Sequence, residues 1–228
     1  MKATLVRTEK LNEQVYSFWF EPERRFRYIA GQFIEITLPH DNADDRGTRR
    51  WFTLSSSPTE ELLAITTRFS HQGSSFKRTL HELQLNDVVE ISEPMGDFVL
   101  PKDTSSPLFF VAGGMGITPY RSMAKWLADT KESRNVQMIY SLKEAADEVF
   151  REVFAAAGIE PTLFITGHEA HAQHLRAHDI LNAIQDDQTI LYISGPEPMV
   201  ENLEKQLKTA GFPANRLVLD FFPGYQPI

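Results

Sequence analysis

The sequence predicts two domains of different class: an N-terminal antiparallel β-barrel over residues 1–101 and a C-terminal parallel α/β domain over residues 102–228. Before residue 101, apolar and polar residues alternate in short runs separated by turn residues, which is typical of antiparallel strands. After residue 107, short apolar runs alternate with longer helical segments, which indicates parallel strands with helices on both faces. The polar stretch 101–107 between the two patterns is the predicted linker.

In the N-terminal half, β-rich runs bounded by Gly31, Pro39, Pro58 and Pro94 predict strands over residues 15–20, 32–38, 62–69 and 87–91. The segment around Arg50 is predicted to form a further strand. One helix is predicted over residues 75–83, because a serine suited to capping, Ser75, precedes a helical pattern.

The C-terminal half begins with the continuous apolar run 108–112, which predicts a buried strand. Further strands are predicted over 136–140, 161–166 and 189–194. Helices are predicted over 119–129, 144–157, a polar stretch ending near 184, and 198–210. This strand–helix alternation predicts a mostly parallel sheet.

Composition excludes several classes of function. The chain has 228 residues, a formal net charge of −8 and no cysteine. The charge argues against a nucleic-acid-binding surface, and the missing thiols exclude disulfide scaffolds, thiol catalysis and cysteine-ligated metal clusters. No apolar run approaches the roughly 20 residues of a membrane span, and the first residues lack a secretory apolar region. We therefore expect a soluble cytoplasmic protein.

The strongest local motif is the glycine-rich turn Gly113-Gly114-Met115-Gly116, which follows the buried strand and leads into a helix. Glycines allow close backbone approach to a ligand, and a helix N-terminus favours an anion such as pyrophosphate. Pro119 suits the first helical turn, and Thr118 is a candidate cap. The same residues also fit a tight turn that holds no ligand.

Two motifs in the N-terminal half also suit phosphate binding. In the segment 49–58, Arg50 offers a bidentate donor, while Phe52 and Thr53 alternate sides of a strand. The segment 71–77 brings Gly73, Ser74 and Ser75 to a helix N-terminus, which is a second candidate anion site. Taken singly, each segment is equally consistent with an ordinary strand or an ordinary helix cap.

Together and in this order, the motifs resemble those of the ferredoxin–NADP⁺ reductase-like flavoproteins, over essentially the whole chain. The resemblance implies an FAD-binding β-barrel followed by a Rossmann-like NAD(P)-binding domain. It implies that Arg50 contacts the flavin pyrophosphate, Phe52 packs at the isoalloxazine and Thr53 lies near flavin N5. It also implies that Gly73, Ser74 and Ser75 seat the pyrophosphate.

The resemblance extends to the dinucleotide side. The turn holding Gly113, Gly114, Gly116 and Thr118 matches the family's dinucleotide-binding turn, and Gly96-Asp97-Phe98 resembles its end-of-barrel segment. Ser194-Gly195-Pro196, with Met199, resembles a motif that begins with cysteine. Phe222 and Tyr225 resemble a C-terminal segment in which an aromatic residue shields the flavin. Accordingly Thr53, Ser194 and Phe222 are the candidate catalytic residues.

Two residues depart from the family pattern. Ser194 stands where most members have cysteine, and Phe52 stands where tyrosine is commoner. Serine is nearly isosteric with cysteine, so its positioning can survive while rate or cofactor preference changes. Phe52 lacks one hydroxyl contact.

The choice between NADPH and NADH stays open on sequence alone. Ser141 and Lys143, after the second strand of the α/β half, suit a 2′-phosphate, with Arg176 as a more distant candidate. They equally fit a helix-start serine and a surface lysine. Glu144 is close enough to favour the ribose of NADH instead.

The resulting hypothesis is an FAD-dependent NAD(P)H oxidoreductase that passes electrons to a separate carrier, such as a ferredoxin, a flavodoxin or a membrane-bound redox partner. A separate carrier is expected because two cofactor domains fill the chain and no cysteine is present to hold an iron–sulfur centre. The alternatives are a flavin reductase that uses free flavin as substrate and a non-catalytic flavin-binding accessory subunit.

Two further features carry weaker hypotheses. An arginine-rich stretch is a candidate docking site for an acidic carrier, and comprises Arg24, Arg25, Arg27, Arg46, Arg49 and Arg50. A histidine run comprises His168, His171, His174 and His178, and on a helix the last three would share one face, which suits a metal site with Glu169 and Asp179 nearby. A solvated helix fits the second pattern better, so no metal is assigned.

Overall fold

The computed structural model describes residues 1–41, 43–70, 73–167 and 173–222, with residue 222 described by its backbone alone. The chain divides into two compact units, Met1–Val99 and Leu100–Ile228. The first unit contains an antiparallel sheet and the second a parallel sheet with helices, which confirms the predicted fold class.

The N-terminal unit is a closed sheet. Its strands are β1 (Lys2–Lys10), β2 (Val15–Pro22), β3 (Phe33–Thr37), β4 (Arg49–Thr53), β5 (Leu63–Arg68) and β6 (Val88–Ile91). They pair in the order β4-β3-β6-β1-β2-β5, with every pairing antiparallel. Leu54, directly after β4, bridges to Ile65 in β5. This bridge joins the two end strands, so the sheet closes into the predicted barrel.

A helix covers one opening in this barrel's core. Helix α1 (Ser75–Glu82) buries Phe76 and Leu80 against the inward-facing residues of the strands. Its N-cap is Ser74, whose hydroxyl accepts the Lys77 N–H at 3.3 Å, so the prediction of Ser75 as the cap was wrong by one residue. The sequence prediction also missed β1, because its charged residues obscure the alternation.

The C-terminal unit contains strands β7 (Leu108–Gly113), β8 (Val136–Leu142), β9 (Thr162–Ile165), β10 (Ile190–Pro196) and β11 (Leu217–Phe222). All pairings are parallel, in the order β11-β10-β7-β8-β9. The first strand of this unit, β7, is the central strand of the sheet. Strands β8 and β9 lie on one side of it, and β10 and β11 lie on the other. The point where strand order reverses therefore lies between β7 and β10, which is where sheets of this kind bind ligands.

The helices of this unit are α2 (Ile117–Thr130), α3 (Arg151–Ala156), α4 (Ala177–Ala183) and α5 (Glu197–Thr209). The helix predicted over 144–157 is shorter, because Phe150 adopts a left-handed conformation (φ 68°) directly before α3. The long polar helix predicted before 184 is reduced to α4 within the described residues. Thr118 lies inside α2 and donates to the Met115 carbonyl, so it does not cap the helix; Gly116 takes the cap position.

Within the residues that the structure describes, no helix combines the length and the apolar character needed to cross a membrane.

Candidate functional site

The fold joins the two candidate phosphate-binding motifs of the N-terminal unit through one loop. Arg50 lies on β4 and Ser75 begins α1, and Asp44 in the loop before β4 contacts both. The Asp44 Oδ1 atom accepts a hydrogen bond from Arg50 Nη2 at 2.7 Å, and its backbone N–H donates to Ser75 Oγ at 3.0 Å. His40 Nε2 also lies 3.0 Å from Ser75 Oγ. Three polar residues from the segment 40–50 therefore form one network with Ser75 at the start of α1.

Arg50 is a buried cation, and one of its nitrogen atoms lacks a hydrogen-bond acceptor within the described part of the chain. Only 8% of the residue is exposed, and its Nη1 atom donates to the carbonyls of Arg46, Gly47 and Arg49 at 2.7–2.9 Å. Its guanidinium carbon lies 5.3 Å from the centre of the Phe76 ring. The Arg50 Nε atom is buried and has no hydrogen-bond partner among the residues that the structure describes. A buried donor without an acceptor is costly, so this nitrogen is suited to an incoming anion.

The Asp44 carboxyl carries its negative charge over the whole physiological range. Burial acts to raise its pKa, but the hydrogen bond and charge of Arg50 outweigh that effect. Hydrogen bonds from the Arg46 backbone and the Ser75 hydroxyl add to the lowering, and the pKa of Asp44 lies below its ordinary value. The Arg50 guanidinium therefore already faces a full negative charge.

The start of α1 has the geometry that the sequence predicted for an anion site. A Cβ on Gly73 would lie 3.2 Å from the Ser70 carbonyl, so this position is tight for any side chain. Ser74 caps the helix, and Ser75 is buried in the network described above. The residues fit a phosphate group, since helix-terminal N–H groups and a buried guanidinium converge on one region.

Phe52 and Thr53 lie on opposite faces of β4, as the alternation predicts. Phe52 packs against the barrel core, with its ring 5.9 Å from that of Phe76. Thr53 pairs with Phe33 on β3 and is 6% exposed. Arg50 and Phe52 therefore share the face that carries the network, and Thr53 lies on the other.

A cleft of about 310 Å³ continues from the start of α1, lined by Tyr16, Phe69, Gly73, Lys77 and His81 among others. The Lys77 ammonium donates to the Arg68 carbonyl at 2.9 Å. Burial lowers the pKa of Lys77 to about 8, and the charges of Arg46 and Arg68 contribute to the lowering. This lysine adds a titrating cation to the same end of the helix.

In the C-terminal unit, the glycine turn lies at the point where strand order reverses. Gly113 ends β7 and Gly116 caps α2, whose first turn has no side-chain cap. A Cβ on Gly116 would lie 2.0 Å from the Ser194 carbonyl oxygen, and one on Gly113 would lie 2.3 Å from Met199 Sδ. Gly114 has a φ of 49° with open space around its Cα, so backbone conformation alone requires glycine there.

These close contacts also bring the second dinucleotide motif to the turn. Gly195 lies against Gly113, where an added Cβ would be 3.2 Å from the Gly113 Cα. Pro196 and Met199 pack on Gly113 from the end of β10 and the start of α5. The two motifs separated by some 80 residues of sequence thus form one compact surface at the carboxyl edge of the sheet.

Ser194 has a charged partner that sequence reasoning missed. Its hydroxyl donates to Asp220 Oδ2 at 2.9 Å, because Ser194 on β10 and Asp220 on β11 are directly paired. Burial raises the pKa of the Asp220 carboxyl, and the hydrogen bond from Ser194 opposes part of that rise. The predicted strand list lacked β11, so nothing marked Asp220 beyond its being an acidic residue in an apolar run.

The nucleotide-selecting candidates lie at the next strand end. Ser141 is buried in β8, where it pairs with Gly113, and Lys143 follows the strand and is exposed. Arg176 is exposed at the start of α4. Ser141 is therefore adjacent to the glycine turn in the sheet.

Some predicted site residues cannot be placed. Tyr225, His168 and His171 lie outside the described residues, and Phe222 is described only as the last backbone position of β11. His174 and His178 are exposed, and His178 Nε2 lies 3.1 Å from an Asp179 carboxylate oxygen. Among the described residues no group of three or more His, Cys, Asp or Glu side chains could hold a metal ion.

The arginine-rich stretch is less basic than its sequence indicates. Arg24 contacts Glu93 at 3.4 Å, Arg49 contacts Glu35 at 3.5 Å, and Arg50 is paired with Asp44. The exposed members are Arg24, Arg25, Arg27, Arg46 and Arg49.

Comparisons with known proteins agree with this architecture. The family model described as the oxidoreductase NAD-binding domain matches residues 110–205. Flavohemoprotein A of Dictyostelium discoideum is 27% identical over 92% of this chain and 57% of its own length. The chain thus spans a little over half the length of such curated relatives.

Solved structures share the fold. The flavohem-like FAD/NAD-binding domain of nitric oxide dioxygenase from Vibrio cholerae is 21% identical with a TM-score of 0.81, and the match covers 97% of this chain and 98% of that one. A ferredoxin–NADP⁺ reductase from Neisseria gonorrhoeae with bound FAD and NADP is 15% identical with a TM-score of 0.78, covering 97% and 98%.

The barrel and the parallel sheet have the same two-domain fold as these solved structures. The predicted resemblance to the ferredoxin–NADP⁺ reductase-like flavoproteins is supported by the family model over residues 110–205 and by the curated relatives.

Proposed function

We propose that this protein is an FAD-dependent NAD(P)H oxidoreductase. The observation that carries the proposal is the buried Arg50 guanidinium, with one unpartnered nitrogen, beside the N-terminus of α1. A site of this kind favours an anionic ligand. The resemblance of the motif at these residues to that of the ferredoxin–NADP⁺ reductase-like flavoproteins supports the pyrophosphate of FAD as that ligand. The Neisseria gonorrhoeae reductase, which has the same fold, holds FAD and NADP.

In this proposal the barrel binds FAD. Arg50, Gly73, Ser74 and Ser75 hold the pyrophosphate. Phe52 packs against the flavin ring, and Thr53 offers its hydroxyl near flavin N5. The physical support is the network that joins Arg50 to Ser75 and the tight approach at Gly73.

The C-terminal unit binds the nicotinamide dinucleotide. The N-terminus of α2 and its glycine turn receive the pyrophosphate, since a helix without a side-chain cap leaves N–H groups for an anion. The residues assigned to this task are Gly113, Gly114, Gly116, Thr118, Gly195, Pro196 and Met199. Ser141 and Lys143 are proposed to contact the 2′-phosphate of NADPH, while Phe222 and Tyr225 shield the flavin.

When bound, FAD supplies the reactive chemistry, because it accepts a hydride from the nicotinamide and releases electrons one at a time. The protein's own contribution is to orient the two ring systems and to manage a proton. We assign that proton to the Asp220 carboxyl, which burial favours in its neutral form, and to the Ser194 hydroxyl that contacts it.

The reduced flavin is proposed to pass its electrons to a carrier on another polypeptide or domain, which is a ferredoxin, a flavodoxin or a membrane redox partner. A cytoplasmic location stays a prediction. Relatives include proteins named flavohemoproteins, whose length exceeds the matched region.

The test is the visible spectrum of the purified protein, followed by anaerobic titration with NADH and NADPH separately. We expect a flavin spectrum that bleaches with at least one of the two. Arg50→Ala should lower FAD affinity, whereas the matched control Arg49→Ala, on the opposite and exposed face of β4, should not. A protein that binds no flavin, or whose flavin neither nucleotide reduces, contradicts the proposal.

One observation favours the second candidate function, a reductase that uses free flavin as substrate. Arg50 is already ion-paired with Asp44, which weakens its attraction for a phosphate. Weak FAD binding together with steady reduction of added riboflavin would support this alternative.

A further inference from the structure

We propose that Asp44 is an internal competitor of the FAD pyrophosphate, and that it sets how tightly this protein holds flavin. The inference rests on the proposed function, because it assigns Arg50 and Ser75 to the pyrophosphate. No sequence motif includes Asp44; its place next to both residues is visible only in the folded barrel.

The first argument is the use of the Arg50 donors. Nη1 donates to three backbone carbonyls, which fix the guanidinium against the loop of residues 46–49. Nη2 donates to the Asp44 carboxylate at 2.7 Å. The Nη2 atom therefore already donates to a carboxylate, which is the side-chain group most like a phosphate in charge and geometry.

The second argument concerns the Ser75 hydroxyl. His40 Nδ1 lies 2.7 Å from the Leu38 carbonyl, which only accepts, so Nδ1 carries the proton in the neutral ring. His40 Nε2 is then an acceptor, and it lies 3.0 Å from the Ser75 hydroxyl oxygen. The same oxygen accepts the Asp44 N–H. The single Ser75 proton therefore has two acceptors in this loop, His40 Nε2 and the Asp44 carboxylate, and both compete with an incoming anion for it.

Both proposed pyrophosphate ligands are thus engaged by the loop that carries His40 and Asp44. An arriving pyrophosphate must displace the Asp44 carboxylate from Arg50 or accept its negative charge as a neighbour. Either event makes the binding of the pyrophosphate to this site less favourable. The opposite role is also well defined: a carboxylate that merely orients Arg50 would strengthen binding.

These two roles predict opposite effects of one substitution. If Asp44 competes, Asp44→Asn removes the charge, keeps the side-chain shape, and tightens FAD binding by about tenfold, the size of a charged hydrogen bond. If Asp44 positions Arg50, the same change weakens binding. The measurement is calorimetric titration of flavin-stripped protein with FAD, repeated with ADP, which carries the pyrophosphate without the flavin.

Asp45→Asn is the matched control. It makes the same change of charge one residue away, and Asp45 is exposed with no hydrogen bond or ion pair to the described part of the chain. A similar tightening in both variants would indicate a general charge effect and would overturn the proposal. So would unchanged or weaker binding of FAD and ADP by Asp44→Asn. Asp44→Ser is a second variant that keeps a small polar side chain if the asparagine variant fails to fold.

Failure of this inference is distinct from failure of the proposed function. Wild-type protein that binds FAD through Arg50, combined with an Asp44→Asn variant that does not bind more tightly, overturns only the role of Asp44. Wild-type and Asp44→Asn proteins that both show no FAD or ADP binding overturn the proposed function as well. Thermal unfolding of each variant checks that the barrel remains folded.

Discussion

The Ser194 hydroxyl donates a 2.9 Å hydrogen bond to the Asp220 carboxylate across the paired strands β10 and β11. Ser194 has no exposed surface, and burial raises the pKa of Asp220. Asp220 also acts electrostatically on Tyr120 of α2. Burial is the main cause that raises the pKa of Tyr120, and the negative charge of Asp220 raises it further. A serine at this position, in place of the family's usual cysteine, supplies a strong donor to the acid.

Removing this hydrogen bond should change a proton-dependent step. Ser194→Ala takes away the interaction that lowers the pKa of Asp220, so that pKa should rise further, and Ser194→Cys, a weaker donor, should have an intermediate effect. The ionisation seen in the pH profile of hydride transfer should move to higher pH in both variants, and further in Ser194→Ala than in Ser194→Cys. Asp220→Asn should remove the ionisation and slow transfer by roughly a hundredfold. Stopped-flow flavin reduction across pH measures all three.

Ser122→Ala provides the control, because Ser122 is another fully buried serine of the same unit. Its pH profile should match that of the wild type. If the Ser194→Ala profile also superimposes on the wild type, the pair has no role in the proton step.

Two substitutions in the glycine turn should lower the free energy of unfolding by very different amounts. Gly116→Ala places a Cβ 2.0 Å from the Ser194 carbonyl oxygen, so the backbone must move, and we expect a loss of about 3 kcal/mol or more. Gly114→Ala meets no atom but must hold a φ of 49°, which costs about 1 kcal/mol. Urea unfolding followed by circular dichroism compares them, and equal losses would mean that the turn relaxes.

Lys77 should titrate near pH 8, since burial holds its pKa at about 8. The unfolded side chain has a higher pKa, so the buried ammonium destabilises the fold at any pH below about 8. That cost disappears as the pH rises through the window from about 8 to the unfolded pKa of about 10.4. Lys77→Met should therefore raise the free energy of unfolding at pH 7 by about 1–3 kcal/mol, less whatever the lost hydrogen bond to Arg68 contributes.

The difference between wild type and Lys77→Met should shrink as the pH rises from 7 to 10, which unfolding curves at several pH values test. Lys2→Met, at an exposed position of the same unit, should show no such pH-dependent difference. A constant difference across the range would mean that Lys77 keeps an ordinary pKa.

Nucleotide preference tests Lys143. Only NADPH carries a 2′-phosphate, so Lys143→Ala should raise the KM for NADPH by roughly tenfold and leave the KM for NADH unchanged. Lys125→Ala, a helix residue paired with Asp129, is the control. Equal changes for both nucleotides would remove Lys143 from the proposed 2′-phosphate site.

Local sequence was informative wherever one short segment determined the structure. The run 108–112 is buried on both faces, so it is continuously apolar, and the glycines that follow are required by local packing and backbone conformation. The same reasoning failed at β1, whose charged residues mask the alternation, and over 144–157, where Phe150 interrupts the helix. Element type followed from periodicity; element ends depended on single residues.

The sequence by itself determined the two-unit plan, the alternation of the first four strands of the second unit with helices, and the positions of the glycine and serine motifs. Only the tertiary structure decided which charges meet. Asp44 reaches Arg50 and Ser75 because the loop before β4 folds over the start of α1, and Asp220 reaches Ser194 because β11 lies beside β10. Neither acid belongs to a local sequence pattern, since these contacts depend on distance in space and their partners meet only when the barrel and the parallel sheet have formed.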